Sequence, residues 1–206
     1  YVINVEYKII CTRPLILSVI RLLICIRYNN EIIFLRRLIM VKDMFRSTGN
    51  TIIAQLISLL FVFLCVAFLY NLLFTIIISL CALFILLGLN INFACSSAKR
   101  DVKAAKSNIY KYSWRKVFLI GFSSSLPSLF MWIILLFSYL EIIPNFLTLY
   151  KLTNEYFLII TAFMCNVSEA SQISISAMIV LFTASLIPFI TVCVSYYIMY
   201  NRNYKH

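Results

Sequence analysis

From position 51 to position 95 the chain runs about 45 residues without a charged side chain. As a single α-helix that run would measure about 68 Å at 1.5 Å per residue, roughly twice the ~30 Å hydrocarbon thickness of a bilayer. It therefore reads as two membrane spans, 51–70 and 72–95, joined by a tight hairpin at Asn71. Composition agrees, with 63% hydrophobic and 12% charged residues, whereas a soluble domain is roughly a quarter charged. The expected fold class is all-α: a polytopic integral membrane protein with four transmembrane helices and both termini cytoplasmic.

The orientation comes from the segment 96–116, SSAKRDVKAAKSNIYKYSWRK, which carries seven of the eighteen Lys and Arg residues. Short basic loops stay on the cytoplasmic side. With spans at 51–70, 72–95, 117–140 and 173–200, eleven bases fall inside and Lys151 alone outside. Lys99, Arg100, Lys103 and Lys106 recur at helical spacing, so the second helix is expected to continue with a cationic face. Arg115 and Lys116 follow Tyr110, Tyr112 and Trp114, an interfacial aromatic cluster. All six of these bases are expected to meet anionic lipid headgroups, at about 1 kcal/mol each near the surface. A site for an acidic partner or a phosphoinositide-like ligand is the sharper alternative.

The third span holds the most unusual local chemistry, GFSSSLPS at 121–128. Gly121, Ser124, Ser125 and Ser128 share one helical face, a small-residue stripe that lets another helix approach closely. Pro127 has no N–H for the carbonyl of Ser123 and is expected to kink the helix, with serine hydroxyls satisfying the freed backbone. Helix packing is the first reading of this segment, and a polar path through the membrane is the second. Pro188 is expected to kink the last span in the same way. Between the third and fourth spans, 156–167 is apolar but too short to cross, and reads as interfacial or partly embedded.

The first 39 residues carry no complete span. Arg21 interrupts the apolar stretch 14–26, and an Arg at a helix centre costs about 2.5 to 3.5 kcal/mol on insertion scales. One reading is an interfacial helix whose arginines snorkel to headgroups. The other is that Arg36-Arg37 before Met40 is a translated purine-rich ribosome-binding site. The natural start would then be Met40, residues 1–39 an over-extended reading frame in an AT-rich bacterial genome, and 40–206 a single membrane domain.

Function is constrained by residue types. The four spans so bounded contain no Asp, Glu, Lys, Arg or His, so they assemble no proton relay or acid–base pair. The seven Cys are scattered without a C-x-x-C pair and the one His is terminal; neither a metal site nor a cofactor is expected. The basic residues flank apolar runs rather than forming a soluble basic domain, which excludes nucleic acid. An enzyme is not expected. The first functional expectation is a noncatalytic or accessory component of the cell membrane that packs by its helices against a second copy or a larger membrane partner. The alternative is a carrier or pore subunit for a neutral or apolar solute, with a polar path at Ser123–Ser128 and near Pro188.

Overall fold

The computed structural model describes residues 38–65, 72–107, 113–154, 156, 160–161 and 167–205. Residues 1–37 of the expected leader 1–39, the hairpin at Asn71 and the interfacial Tyr110 and Tyr112 lie outside the described residues, while Leu38 and Ile39 are helical and continuous with Met40. Two compact units divide the chain, Tyr1–Lys42 and Asp43–His206. Of the first, only 38–42 are described, in the opening turn of a helix; the bundle belongs to the second.

All regular structure among the described residues is helical. Helix α1 covers Leu38–Leu64, α2 Leu72–Lys106, α3 Trp114–Tyr139 and α4 Leu147–Thr153. A 3₁₀ turn at Ala170–Gln172 precedes α5, Ile175–Ser185, and α6, Ile187–Lys205. Four rods, with α5 and α6 counted together, are long and apolar enough to cross a membrane. The apolar segments at 51–70, 72–95, 117–140 and 173–200 thus sit on helices, but the helices are longer. α2 runs through Lys106, so the segment 96–116 is largely helical rather than loop. Its AKRDVKAAK sequence is made of good helix formers, and Lys103 and Lys106 occupy the last turn, where cations complement the helix dipole.

Within the second unit, α6 packs along α2 and α3, while α4 and α5 lie against α3. Three apolar clusters follow one another through it. Phe93, Val117, Ile120, Val192 and Tyr196 form one; Ala54, Ala82, Leu86, Tyr156 and Ala184 form the middle one; Leu135, Leu147, Tyr150, Met178 and Leu181 form the third. The outward positions are apolar too, with Leu60, Phe63, Phe84, Phe130 and Ile179 all exposed, the pattern of helices solvated by lipid.

The helix ends follow from local chemistry. α3 closes with Ile142 N donating to Phe137 O at 3.0 Å and Glu141 N to Ser138 O at 3.2 Å, a Schellman arrangement that normally places glycine where Glu141 stands; Glu141 has φ 58°. Asn145 then binds the connection together, donating to Ser168 O and accepting from the amides of Leu147 and Ala170. Ser174 caps α5 by accepting from Ala177 N. Near Pro188, where a kink is expected, the helix is interrupted: α5 ends at Ser185 and α6 starts at Ile187, and Pro188 offers no N–H to the carbonyl of Ala184.

Candidate functional site

The feature that organises the interior is the inward face of α1. Asp43, Ser47, Thr51 and Ser58 recur at helical spacing and are all buried, joined by Ala54 and Val62, while Phe45, Ile53, Leu56 and Leu60 face outward. α1 is therefore inverted relative to a soluble amphipathic helix, with its polar groups directed at the other helices. Ser47 Oγ donates to Ile120 O at 3.0 Å. Thr51 Oγ1 reaches Asn90 Oδ1 at 3.3 Å, and Asn90 Nδ2 in turn donates to Leu86 O. The Ser58 hydroxyl has no hydrogen-bond partner among the described residues.

At one end of this stripe lies a buried ionic network. Lys116 Nζ donates to Asp101 Oδ2 at 2.7 Å and to Asp101 Oδ1 at 2.8 Å, and lies 3.0 Å from Asp43 Oδ2 as an ion pair without hydrogen-bond geometry. Arg100 Nη2 bonds Asp43 Oδ1 at 2.8 Å and Ser97 Oγ at 2.9 Å. The Tyr196 hydroxyl donates to Asp101 Oδ2. Two carboxylates face two cations, so opposite charges are paired where Asp43 is 1% and Lys116 3% exposed. It ties α1, α2, α3 and α6 together at one point.

This changes the expectation for the six basic residues. Lys99, Lys103, Lys106 and Arg115 are exposed. Lys116 is not a surface base: its ammonium is enclosed by Asp43 and Asp101, because α1 brings a carboxylate that its own neighbourhood in sequence lacks. Arg100 keeps 47% of its side chain exposed but spends its guanidinium on Asp43. Trp114 stacks on Tyr197 with ring centroids 5.4 Å apart, beside a ladder of Tyr196, Tyr200 and Tyr204 along α6.

The small-residue stripe of α3 is used within the chain. A Cβ at Gly121 would stand 2.6 Å from Cys193 Sγ and 3.0 Å from Phe189 Cδ2, so glycine sets the approach of α6. Ser123, Ser124, Ser125 and Ser128 are all buried; Ser124 bonds back to Gly121 O and Ser125 to Phe122 O. The carbonyl of Ser123, which Pro127 leaves without its helical partner, is met not by a serine but by Thr48 Oγ1 of α1 at 2.8 Å. Around Pro188 the setting is apolar, with Ala184 and Ile187 in the middle cluster.

Ser128 belongs to a directed chain of hydrogen bonds. Tyr156 OH donates to Asn154 Oδ1 at 2.8 Å, so Ser128 Oγ is the donor in its 2.5 Å contact with Tyr156 OH. Gln55 Nε2 donates to Ser128 Oγ at 3.4 Å and to Tyr156 OH at 3.3 Å. Asn154 Nδ2 continues to Thr153 Oγ1, which donates to Leu149 O. Tyr156, expected in an interfacial or partly embedded segment, is buried in the middle of the bundle, and its carbonyl accepts from Ser79 of α2 at 3.0 Å. Beside this chain, a cleft of about 390 Å³ opens between α1, α3 and the end of α4, lined by Thr48, Ile52, Gln55, Pro127, Phe130 and Thr153 among others.

Sequence reasoning missed Asp43, Asp101, Gln55, Asn154 and Tyr156. The available signal was that Asp43 and Asp101 are the lone acids in basic segments and that Asp43, Ser47, Thr51 and Gln55 repeat every fourth residue. Among the described residues no three His, Cys, Asp or Glu side chains gather as a metal site. Compared with family models, curated proteins and solved structures, the chain finds no match.

Proposed function

We propose that the chain is a noncatalytic multi-pass membrane component that works by helix contacts, with a second copy of itself or with a larger membrane partner. The observation supporting this is the fate of the hydroxyls at Ser123, Ser124, Ser125 and Ser128. Each is bonded inside the chain, so they act as packing groups rather than as offers to a passing solute. The contacts left for a partner are the outer Leu, Ile and Phe faces, where van der Waals fit and not hydrophobicity drives helix association. Both termini and the basic ends of α2 and α3 are cytoplasmic, on the strength of the eleven-to-one charge asymmetry. There the exposed Lys99, Lys103, Lys106 and Arg115 meet anionic headgroups.

Purification in mild detergent tests the reading. A defined oligomer or a specific co-purifying membrane protein is expected, and reporter fusions after Lys106 and after Tyr204 are expected to read cytoplasm while one at Lys151 reads the outside. A monomer that alone conducts a neutral solute in liposomes would overturn the proposal in favour of a carrier.

A further inference from the structure

The direction of the hydrogen-bond chain fixes the orientation of Gln55. Because Tyr156 gives its proton to Asn154 and Ser128 gives its proton to Tyr156, both oxygens can only accept from Gln55, and the amide must turn its NH₂ inward. Its carbonyl Oε1 is then left without a partner among the described residues, on a half-buried side chain that lines the cleft beside Pro127. The other polar groups there are committed as donors already: Thr48 Oγ1 to Ser123 O and Thr153 Oγ1 to Leu149 O. The cleft is thus rich in acceptors and poor in donors, and none of the residues lining it is ionisable. Its rim residues Ile52, Leu126 and Phe130 are exposed on the outer, lipid-facing surface.

Depth narrows the class of occupant. Gln55 lies twelve residues beyond Asp43 on α1, about 18 Å further along the helix axis. With the ionic network at the membrane boundary, Gln55 is near the middle of a ~30 Å hydrocarbon layer. A glycerolipid headgroup anchored at the interface does not reach it, and a charged ligand would be desolvated without a counter-ion.

We infer that the cleft between α1 and α3 is a binding site for a long-chain alcohol, an uncharged hydrocarbon molecule entering from the lipid and donating its hydroxyl proton to Gln55 Oε1. The chain beyond the hydroxyl lies against Ile52, Leu126 and Phe130. The inference does not depend on whether the protein works with a partner.

The test uses the full chain in phosphatidylcholine vesicles and hexadecanol carrying a diazirine in its alkyl chain. Photolabelling is expected to be saturable and to map to the peptides containing Thr48 to Gln55 and Leu126 to Met131. Unlabelled hexadecanol is expected to compete, and its methyl ether, which cannot donate, to compete about fivefold less well or worse, the factor that one net hydrogen bond of about 1 kcal/mol supplies. Gln55→Met is expected to abolish that discrimination. Leu126→Trp fills the cleft from its rim without touching the hydrogen-bond chain, and is expected to reduce site labelling about tenfold. Equal competition by the ether, labelling spread over all outer faces, labelling indifferent to Leu126→Trp, or cross-links from these residues to a second protein chain would each overturn the inference.

Discussion

Replacing Lys116 by Met is the sharpest perturbation of the bundle. Methionine keeps most of the side-chain volume and removes only the ammonium that touches Asp101 at 2.7 and 2.8 Å and Asp43 at 3.0 Å. Asp43 retains Arg100 at 2.8 Å, but Asp101 is left with the Tyr196 hydroxyl and no cation among the contacts just described. Breaking a buried pair by deleting one partner costs about 3 to 5 kcal/mol, because a charge remains buried without compensation. Near the lower bound, ~3 kcal/mol, the folded-to-unfolded ratio falls about 150-fold. The assay is equilibrium unfolding in mixed micelles titrated with a denaturing detergent, followed by fluorescence of the two tryptophans. Trp114 reports the ionic end through its stack on Tyr197, and Trp132, whose Nε1 donates to Met178 O, reports the opposite end of α3. The companion variant is Lys116→Met with Asp101→Asn, which removes the stranded charge and is expected to recover most of the loss. A single variant within about 1 kcal/mol of wild type, or a double variant no better than the single, would refute the assignment of this network as a buried, mutually dependent cluster.

Thr48→Val is expected to cost about 1 to 3 kcal/mol by stranding the Ser123 carbonyl; in a Pro127→Ala background, where that carbonyl regains a helical N–H, the same unfolding titration is expected to show little further loss. Gly121→Ala is expected to destabilise by about 1 kcal/mol net, overpacking against Cys193 and Phe189 exceeding the gain in helix propensity, and Cys193→Ala is expected to recover part of it. Glu141→Gly relieves a left-handed backbone position and is expected to raise stability by about 1 kcal/mol, read as a higher thermal midpoint.

The segments that hydropathy could identify were those where every face of the helix is apolar, as at 80–89 or 129–137, and Pro188 announced the interruption between α5 and α6 because a missing N–H is a local property, whereas α3 runs unbroken through Pro127. The polar interior was hidden for the opposite reason. A hydropathy window over α1 averages Phe45, Ile53 and Leu56 with Asp43, Ser47 and Thr51, and so erases the face on which the latter lie. The ionic network could not be read from local charge either: Asp43 and Lys116 are 73 positions apart, and a lysine in a basic stretch looks the same whether lipid or a carboxylate receives it. The directed chain from Gln55 to Thr153 needs Tyr156 inside the bundle, whereas the apolar run in which Tyr156 stands suggests only shallow burial. The small-residue stripe at 121–128 was visible in the sequence, but that α6 arrives at Gly121 was not.

The inverted face of α1 also sets an order of assembly. When α1 and α2 leave the ribosome, Asp43 has only Arg100 to meet, and Asp101 waits for a lysine still being synthesised. The 15 residues between Asp101 and Lys116 take roughly 1 to 3 s at about 5 to 20 residues per second. Through that interval the nascent hairpin carries an acid without its cation and a row of hydroxyls without their acceptors on α3. Only when α3 delivers Lys116, and the last helix delivers Tyr196, do these groups find each other and close the network.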